Sequence, residues 1–108
     1  MSRVQDYGTW ENVPDPVVTK HAADRWDQRT PPDSVSPEAA WTEGCEMRLE
    51  SRTEFRSIDE ARYHQPTETV LLRYTSVIRT VLAASGPEST RIVRDAVANQ
   101  FQTDLDPS

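Results

Sequence analysis

The chain has 108 residues, of which 18 are Asp or Glu and 12 are Lys or Arg, so its formal net charge is −6. Its length predicts one compact domain, and no apolar run approaches the roughly 18 residues of a membrane-spanning helix. The single cysteine, Cys45, excludes an intrachain disulfide framework and a zinc site built from several cysteines.

The two ends of the chain are predicted to lie outside the folded domain. Residues 1–16 contain prolines and no lasting periodicity, which indicates an extended arm, and residues 102–108 form a polar, acidic tail. The arm lacks the basic and then apolar segments of a secretory signal, so we expect a cytoplasmic protein. A single domain over residues 17–101 remains.

Two helices are predicted at the start of this domain. The helical pattern of the first begins at Val17, with Thr19 as a candidate N-cap and an apolar residue at every fourth position, and a pair of prolines ends it. The apolar repeat consists of Val18, Ala22 and Trp26. The second helix begins with Ser36 as its N-cap and a proline at the first helical position, and its end is predicted between residues 43 and 49.

Residues 47–83 have the pattern of antiparallel strands. The predicted strands are 48–55, 61–64, 70–74 and 77–82. The last two are separated by two residues, a length that suits a tight hairpin turn. That turn pairs Leu72 with Arg79. It also pairs Arg73 with Ile78, so the two arginines lie on opposite faces unless a one-residue bulge intervenes.

A third helix is predicted over residues 92–101, where apolar side chains recur at helical spacing. It either covers the second face or an edge of the sheet, or docks a partner such as a second copy of the chain. The order of elements predicts an α+β fold. In it, two N-terminal helices pack on an antiparallel sheet of about four strands, followed by a C-terminal helix.

The basic residues are strongly biased, because eleven of the twelve are arginines and Lys20 is the only lysine. Arginine in place of lysine, together with an excess of carboxylates, is expected of proteins that work in high salt. Carboxylates bind water strongly, and the net charge keeps the chain soluble where salt screens long-range repulsion. We therefore expect a haloarchaeal origin, on a chromosome, virus or plasmid. A GC-rich genome is the alternative. In a salt-adapted protein, the negative charge does not exclude an RNA substrate.

One side of the first helix carries possible chemistry. His21, Arg25 and Arg29 recur at every fourth position, in a line beside the apolar repeat of the helix. A histidine and two guanidinium groups on one line can bind a phosphate and supply an acid or a base. The alternative is a partly buried histidine with two arginines paired to carboxylates at the edge of the core.

A second mixed group lies on the predicted strand 61–64. Strand alternation puts Arg62 and His64 on one face and Tyr63 on the other, so the three cannot act together. They either line an RNA groove, or Tyr63 belongs to the core and the other two face solvent.

Three motifs in chain order are His21-Ala22-x-x-Arg25-x-x-x-Arg29, Ala61-Arg62-Tyr63 and Val77-Ile78-Arg79-Thr80-Val81-Leu82. Together they resemble a group of small proteins related to the RelE/ParE and BrnT toxins, over about residues 17–83. The resemblance implies two helices on an antiparallel sheet. It also implies metal-independent cleavage of RNA, in which a ribose 2′-OH attacks the adjacent phosphate, with no cofactor. RNA or the ribosome would be the substrate, and an antitoxin or a second copy the partner.

Such a site needs a base for the 2′-OH, a cation for the charge on phosphorus and an acid for the leaving oxygen. The candidate catalytic residues are His21, Arg25 and Arg79. The candidates for RNA contacts are Arg29, Arg62, Tyr63, His64 and Arg73. The alternative function is an inactive relative, or a non-catalytic protein-interaction module or adaptor.

Overall fold

A computed structural model describes residues 16–49 and 58–103 together with Leu105. The predicted N-terminal arm, most of the acidic tail and most of the predicted strand 48–55 lie outside these residues. The elements are β1 (Val17–Val18), α1 (Lys20–Arg29), α2 (Pro37–Glu43), β2 (Cys45–Met47), β3 (Glu60–His64), a 3-10 turn (Gln65–Thr67), β4 (Thr69–Tyr74), β5 (Val77–Ala83) and α3 (Arg91–Phe101).

The described part of the chain is an α+β fold with three helices and a five-stranded sheet, in the spatial order β1-β5-β4-β3-β2. The class predicted from the sequence is confirmed, whereas the expected number of about four strands is too low. Two strands were not predicted: β1, which is short and pairs in parallel with β5, and β2, which precedes the predicted strand 48–55. Arg48 and Leu49, the described part of that predicted strand, do not belong to a strand. Strands β2 to β5 pair as antiparallel neighbours.

Hydrophobic side chains pack on both faces of the sheet. Leu71, Ile78 and Val81 point toward α1 and α2, and we call this side the α1/α2 face. Their neighbours Val70 and Leu72 point the other way, toward α3, and we call that side the α3 face. Helix α3 therefore covers the second face of the sheet, which is one of the two roles predicted for it.

The boundary between β1 and α1 is determined by Thr19. Its side-chain oxygen accepts a hydrogen bond from the backbone N–H of Ala22 (3.1 Å), so the helix begins at Lys20. The helical pattern expected from residue 17 is wrong for the first two residues. The backbone N–H groups of Val17 and Thr19 donate instead to Ser76 and Ile78 of the hairpin, at 3.0 and 3.1 Å. These residues are extended because they pair with β5.

Helix α2 has the predicted start, and its end is the earliest predicted. The Ser36 hydroxyl accepts from Ala39 N–H (3.2 Å), and Pro37 occupies the first helical position. The helix ends at Glu43. A Cβ on the next residue, Gly44, would lie 3.0 Å from the Ala40 carbonyl oxygen and 3.1 Å from the Arg62 Cβ. Glycine therefore permits the close approach of α2 to β3.

The hairpin between β4 and β5 turns at residues 75–76, as predicted. Arg73 faces Ile78 as expected, but Leu72 faces Thr80, so the predicted pair of Leu72 with Arg79 is wrong. A β-bulge leaves Arg79 without an opposite residue and changes the register beyond it. The turn is held by the Asp59 carboxylate, which accepts from the backbone N–H of Thr75.

Among the described helices, none is both long enough and apolar enough to cross a membrane.

Leu71 is fully buried on the central strand β4, between α1, α2 and the sheet. We expect Leu71→Ala to lower the free energy of unfolding by about 2–5 kcal/mol, because it removes apolar contact and leaves a cavity. Denaturant unfolding at constant salt would measure the change. Val35→Ala, at an exposed side chain, is the control and is expected to change stability by less than about 0.5 kcal/mol. Equal effects of the two substitutions would contradict this account of the core.

Candidate functional site

Helix α1 presents a line of cationic side chains on the flank beside its buried residues. We call His21, Arg25 and Arg29 the α1 cationic stripe. Ala22 and Trp26 are buried, whereas His21 is exposed and Arg25 is half-buried. At about 100° per residue, the mean directions of the two sets differ by about 80° around the helix. The stripe therefore begins with a solvent-facing histidine and runs toward the edge of the core.

The three members of the stripe differ in their partners. Arg25 Nη1 donates to Gln28 Oε1 (3.1 Å) one turn further along α1. Arg29 Nη2 lies 3.2 Å from Glu88 Oε1, a carboxylate in the loop before α3. His21 has neither an ion pair nor a side-chain hydrogen bond within the described residues. Of the three, His21 and Arg25 are the more accessible to a ligand.

Arg79, the third candidate catalytic residue, lies at the bulge of β5 and is exposed. Its guanidinium carbon is 5.3 Å from the centre of the Tyr74 ring, a cation–π contact. Tyr74 packs at the border of the α3 face, so the guanidinium rests on the side of the sheet opposite α1. The bulge nevertheless adjoins the first turn of α1, because Thr19 bonds to Ile78.

Arg62 and Arg73 share one carboxylate on the α1/α2 face. Glu60 Oε2 lies 2.7 Å from Arg62 Nε, and Glu60 Oε1 lies 3.3 Å from Arg73 Nε. Arg62 also donates to the Trp41 carbonyl (2.8 Å) and stacks 4.3 Å from the centre of the Trp41 ring. Arg73 also donates to the carbonyl of Thr75. The two arginines therefore bind the sheet to α2 and to the hairpin turn.

His64 is 2% exposed and uses both ring nitrogens inside the protein. Nε2 lies 2.8 Å from Glu43 Oε1, and Nδ1 lies 2.7 Å from the Thr67 hydroxyl. A carboxylate only accepts, so Nε2 donates to Glu43, and Nδ1 shares the second hydrogen bond with the Thr67 hydroxyl. Thr67 in turn lies 2.8 Å from the Thr69 hydroxyl. The chain of bonds joins the end of α2 to the turn between β3 and β4.

Tyr63 points to the α3 face, opposite to its neighbours Arg62 and His64. Its ring is buried, with its centre 5.1 Å from that of Phe101 in α3. Burial raises the pKa of the Tyr63 phenol above its usual value, and the charge of Glu68 raises it further. Tyr63 therefore contributes its ring to the core.

The comparison with family models decides the relationship of this chain. Residues 18–85, more than half of the chain, match the family Halo_toxin, whose description is "Putative RelE superfamily toxin domain". The chain belongs to this family. The resemblance to RelE-like toxins predicted from the sequence is thus confirmed at the level of the superfamily. Neither the curated proteins nor the solved structures contain a match to the chain.

The Halo_toxin match includes the side chains described above, with the exception of Glu88 and of Phe101 in α3. It begins at Val18, contains the α1 cationic stripe and the Glu60 and His64 clusters, and ends just after β5. Glu88 and α3 lie beyond it. Because Val93 and Val97 of α3 are part of the core on the α3 face, this chain completes the matched region with a helix of its own.

Sequence reasoning did not single out three carboxylates that partner the basic residues, Glu43, Glu60 and Glu88. Only Glu60 had a usable signal, because residues 60 and 62 are two apart on one strand and so share a face. Glu43 is 21 residues from His64, and Glu88 is in a loop far from Arg29 in sequence. These two pairings arise only from the folded structure.

The hydrogen bonds of Thr67 supply a test of the His64 cluster. We expect Thr67→Val to lower the free energy of unfolding by about 1–3 kcal/mol, because it leaves buried polar atoms of His64 and Thr69 without a partner. Thr42→Val is the matched control, since the exposed Thr42 hydroxyl bonds only to the Glu38 carbonyl in α2. Chemical denaturation of both variants would show the difference, and equal losses would contradict the assigned role.

Tyr63 predicts a dependence of stability on alkaline pH. Because its folded pKa is raised, the unfolded chain loses this proton first as the pH rises. The stabilisation is complete below the unfolded pKa of about 10 and is lost above it. We therefore expect the stability of the native sequence to fall more steeply than that of Tyr63→Phe as the pH rises above about 10, with no difference between the two slopes below about pH 9. Parallel curves from denaturant titrations would show that this proton is not involved.

Proposed function

We propose that this protein is an endoribonuclease of the RelE superfamily, which cleaves RNA without a metal ion by attack of a 2′-OH on the adjacent phosphate. Membership of a toxin-domain family supports a toxin. The observation that carries the proposed chemistry is the α1 cationic stripe. On it, His21 and Arg25 lie one turn apart on the flank of α1 that adjoins its buried residues Ala22 and Trp26.

In the proposed reaction, His21 is the general base. It removes the proton of the 2′-OH, whose oxygen then bonds to phosphorus, and the bond to the 5′-oxygen breaks. The 5′-oxygen takes a proton from water, and the other product carries a 2′,3′-cyclic phosphate. Arg25 is proposed to contact the phosphate and stabilise the additional negative charge of the transition state.

Arg79 is proposed as a further phosphate contact. It is exposed, its one contact among the described residues is the stacking on Tyr74, and it belongs to the bulge next to the first turn of α1. The N-terminal end of a helix carries partial positive charge, which favours an anion in the same area. Because the guanidinium rests on the side of the sheet opposite α1, it would have to leave Tyr74 to contact a phosphate beside His21.

The proposal gives a supporting role to the remaining candidates for RNA contacts. Arg62 and Arg73 are engaged with Glu60, and Tyr63 and His64 are buried. These residues stabilise the sheet and the end of α2, against which α1 packs. An antitoxin is the partner that toxin-family membership suggests, and we propose cytoplasmic RNA or ribosome-bound RNA as the substrate, in a cell of high internal salt.

Substitutions in α1 test the proposed catalysis. We expect His21→Ala to slow cleavage of a labelled RNA by about 100-fold or more, because the general base is lost. Arg25→Ala is expected to have an effect of similar size through the loss of transition-state charge stabilisation. The matched control is Arg91→Ala, which removes one exposed positive charge from α3 and is expected to leave the rate unchanged.

These assays should be run in molar KCl as well as at low salt, with circular dichroism to show that each variant is folded. Expression in a host cell provides a second readout, in which the native sequence arrests growth and His21→Ala does not. If the folded protein binds RNA but no variant alters its cleavage, the catalytic assignment is wrong. If neither cleavage nor growth arrest occurs, the alternative of a non-catalytic interaction module is favoured.

A further inference from the structure

Arg29 is the inner end of the α1 cationic stripe, and its environment is unusual for an arginine. It is the last residue of α1, and its side chain is only 16% exposed. Its single partner among the described residues is Glu88, which is 69% exposed and lies 3.2 Å from Nη2. A largely buried cation is thus neutralised by a carboxylate that is mostly in water.

The guanidinium group of Arg29 is incompletely hydrogen-bonded. Its Nε and Nη1 atoms are buried, and neither has an acceptor within the described part of the chain. A guanidinium has five N–H groups, and these two nitrogens carry three of them. Buried donors without acceptors are unfavourable, so this conformation of Arg29 is weakly held compared with that of Arg62, which has two acceptors and a stacking partner.

We propose that Arg29 is a latent phosphate-binding residue, and that Glu88 occupies the position of an RNA phosphate oxygen until RNA displaces it. The inference rests on the proposed function, because it extends the RNA path along the α1 cationic stripe from Arg25 to Arg29. These two residues are about 6 Å apart along the helix axis. Glu88 thereby acts as an internal competitor of the substrate.

Two physical reasons favour the exchange. A phosphodiester offers two anionic oxygens, which match the fork of a guanidinium better than the single oxygen that Glu88 now supplies. The exposed Glu88 carboxylate is readily hydrated when it leaves, so little is lost by breaking this ion pair. Moving Arg29 outward also brings its unpaired N–H groups to an acceptor or to water.

The expected consequence is that removal of the Glu88 charge strengthens RNA binding. The probe is a short, labelled 2′-O-methyl oligonucleotide of mixed sequence, which carries the phosphates of RNA but no attacking hydroxyl. Its dissociation constant should be measured by fluorescence anisotropy at the lowest KCl concentration at which the native sequence remains folded. For Glu88→Gln we expect binding roughly 2- to 5-fold tighter, the range for loss of one exposed ion pair.

Asp95→Asn is the matched control. It removes the same charge from an exposed carboxylate, which is 63% exposed and pairs with Arg91 on α3. We expect it to change the dissociation constant by less than about 1.5-fold, because it is not a partner of the stripe. Equal tightening by Asp95→Asn and Glu88→Gln would show a general charge effect and would overturn the inference.

Arg29 itself completes the experiment. In an Arg29→Gln background, Glu88→Gln is expected to have no further effect, and Arg29→Lys is expected to bind more weakly than the native sequence because the fork is lost. A Glu88→Gln effect that persists without Arg29 would contradict the proposal. The probe cannot be cleaved, so tighter binding of the probe through Arg29 would support the inference even if the protein had no nuclease activity. Conversely, cleavage that depends on His21 would support the proposed function even if Glu88→Gln did not change RNA binding.

Discussion

The burial of Trp26 determines how α1 is rotated on the sheet, and the rest of the candidate site depends on that rotation. Its indole N–H donates to the Val35 carbonyl (3.0 Å), and its ring lies 6.0 Å from that of His64. The same side chain packs with Leu71 and Ile78 of the sheet. Because Trp26 is held by these contacts, the flank beside it lies between core and solvent, and Arg29 and Arg25 on that flank are about 60° and 100° around the helix from Trp26. The α1 cationic stripe occupies this border.

The arginines of this acidic chain fall into two groups that differ in their acceptors. Arg62 and Arg73 share Glu60 and bond to backbone carbonyls, so they hold elements of the fold together. Among the described residues, Arg25 has a neighbouring glutamine as its partner, and Arg79 rests on an aromatic ring. Net charge therefore says little about an RNA substrate, because a phosphate would meet individual arginines that the fold does not already use to hold its elements together.

The Halo_toxin match ends at residue 85, whereas the hydrophobic core includes residues of α3 beyond it. The matched residues 18–85 supply the described sheet except Val17, together with both helices of one face, but the second face is closed by α3. Val93 and Val97 bury Val70 and Leu72 from that side, and Phe101 contacts Tyr63. The loop that leads to α3 also carries Glu88. The segment beyond the family match thus contributes both to stability and, in our proposal, to the access of RNA to Arg29.

The sequence by itself determined the features that depend on residues a few positions apart. The caps of α1 and α2 and the position of the hairpin turn were predictable, because a cap bonds to an N–H three residues away and a tight turn joins adjacent strands. The apolar repeat of α1 likewise predicted which of its residues are buried. The line of His21, Arg25 and Arg29 could be read from the same helical period.

Only the tertiary structure decided the bulge at Arg79, the strand formed by Val17–Val18, and the partners of His64 and Arg29. The bulge and the additional strand come from backbone pairing across the sheet, in which a shift of one residue changes every later contact. His64 meets Glu43 across 21 residues, and Arg29 meets Glu88 across an even longer separation. No local pattern encodes such pairs, because they form only when packing of the core brings distant segments together.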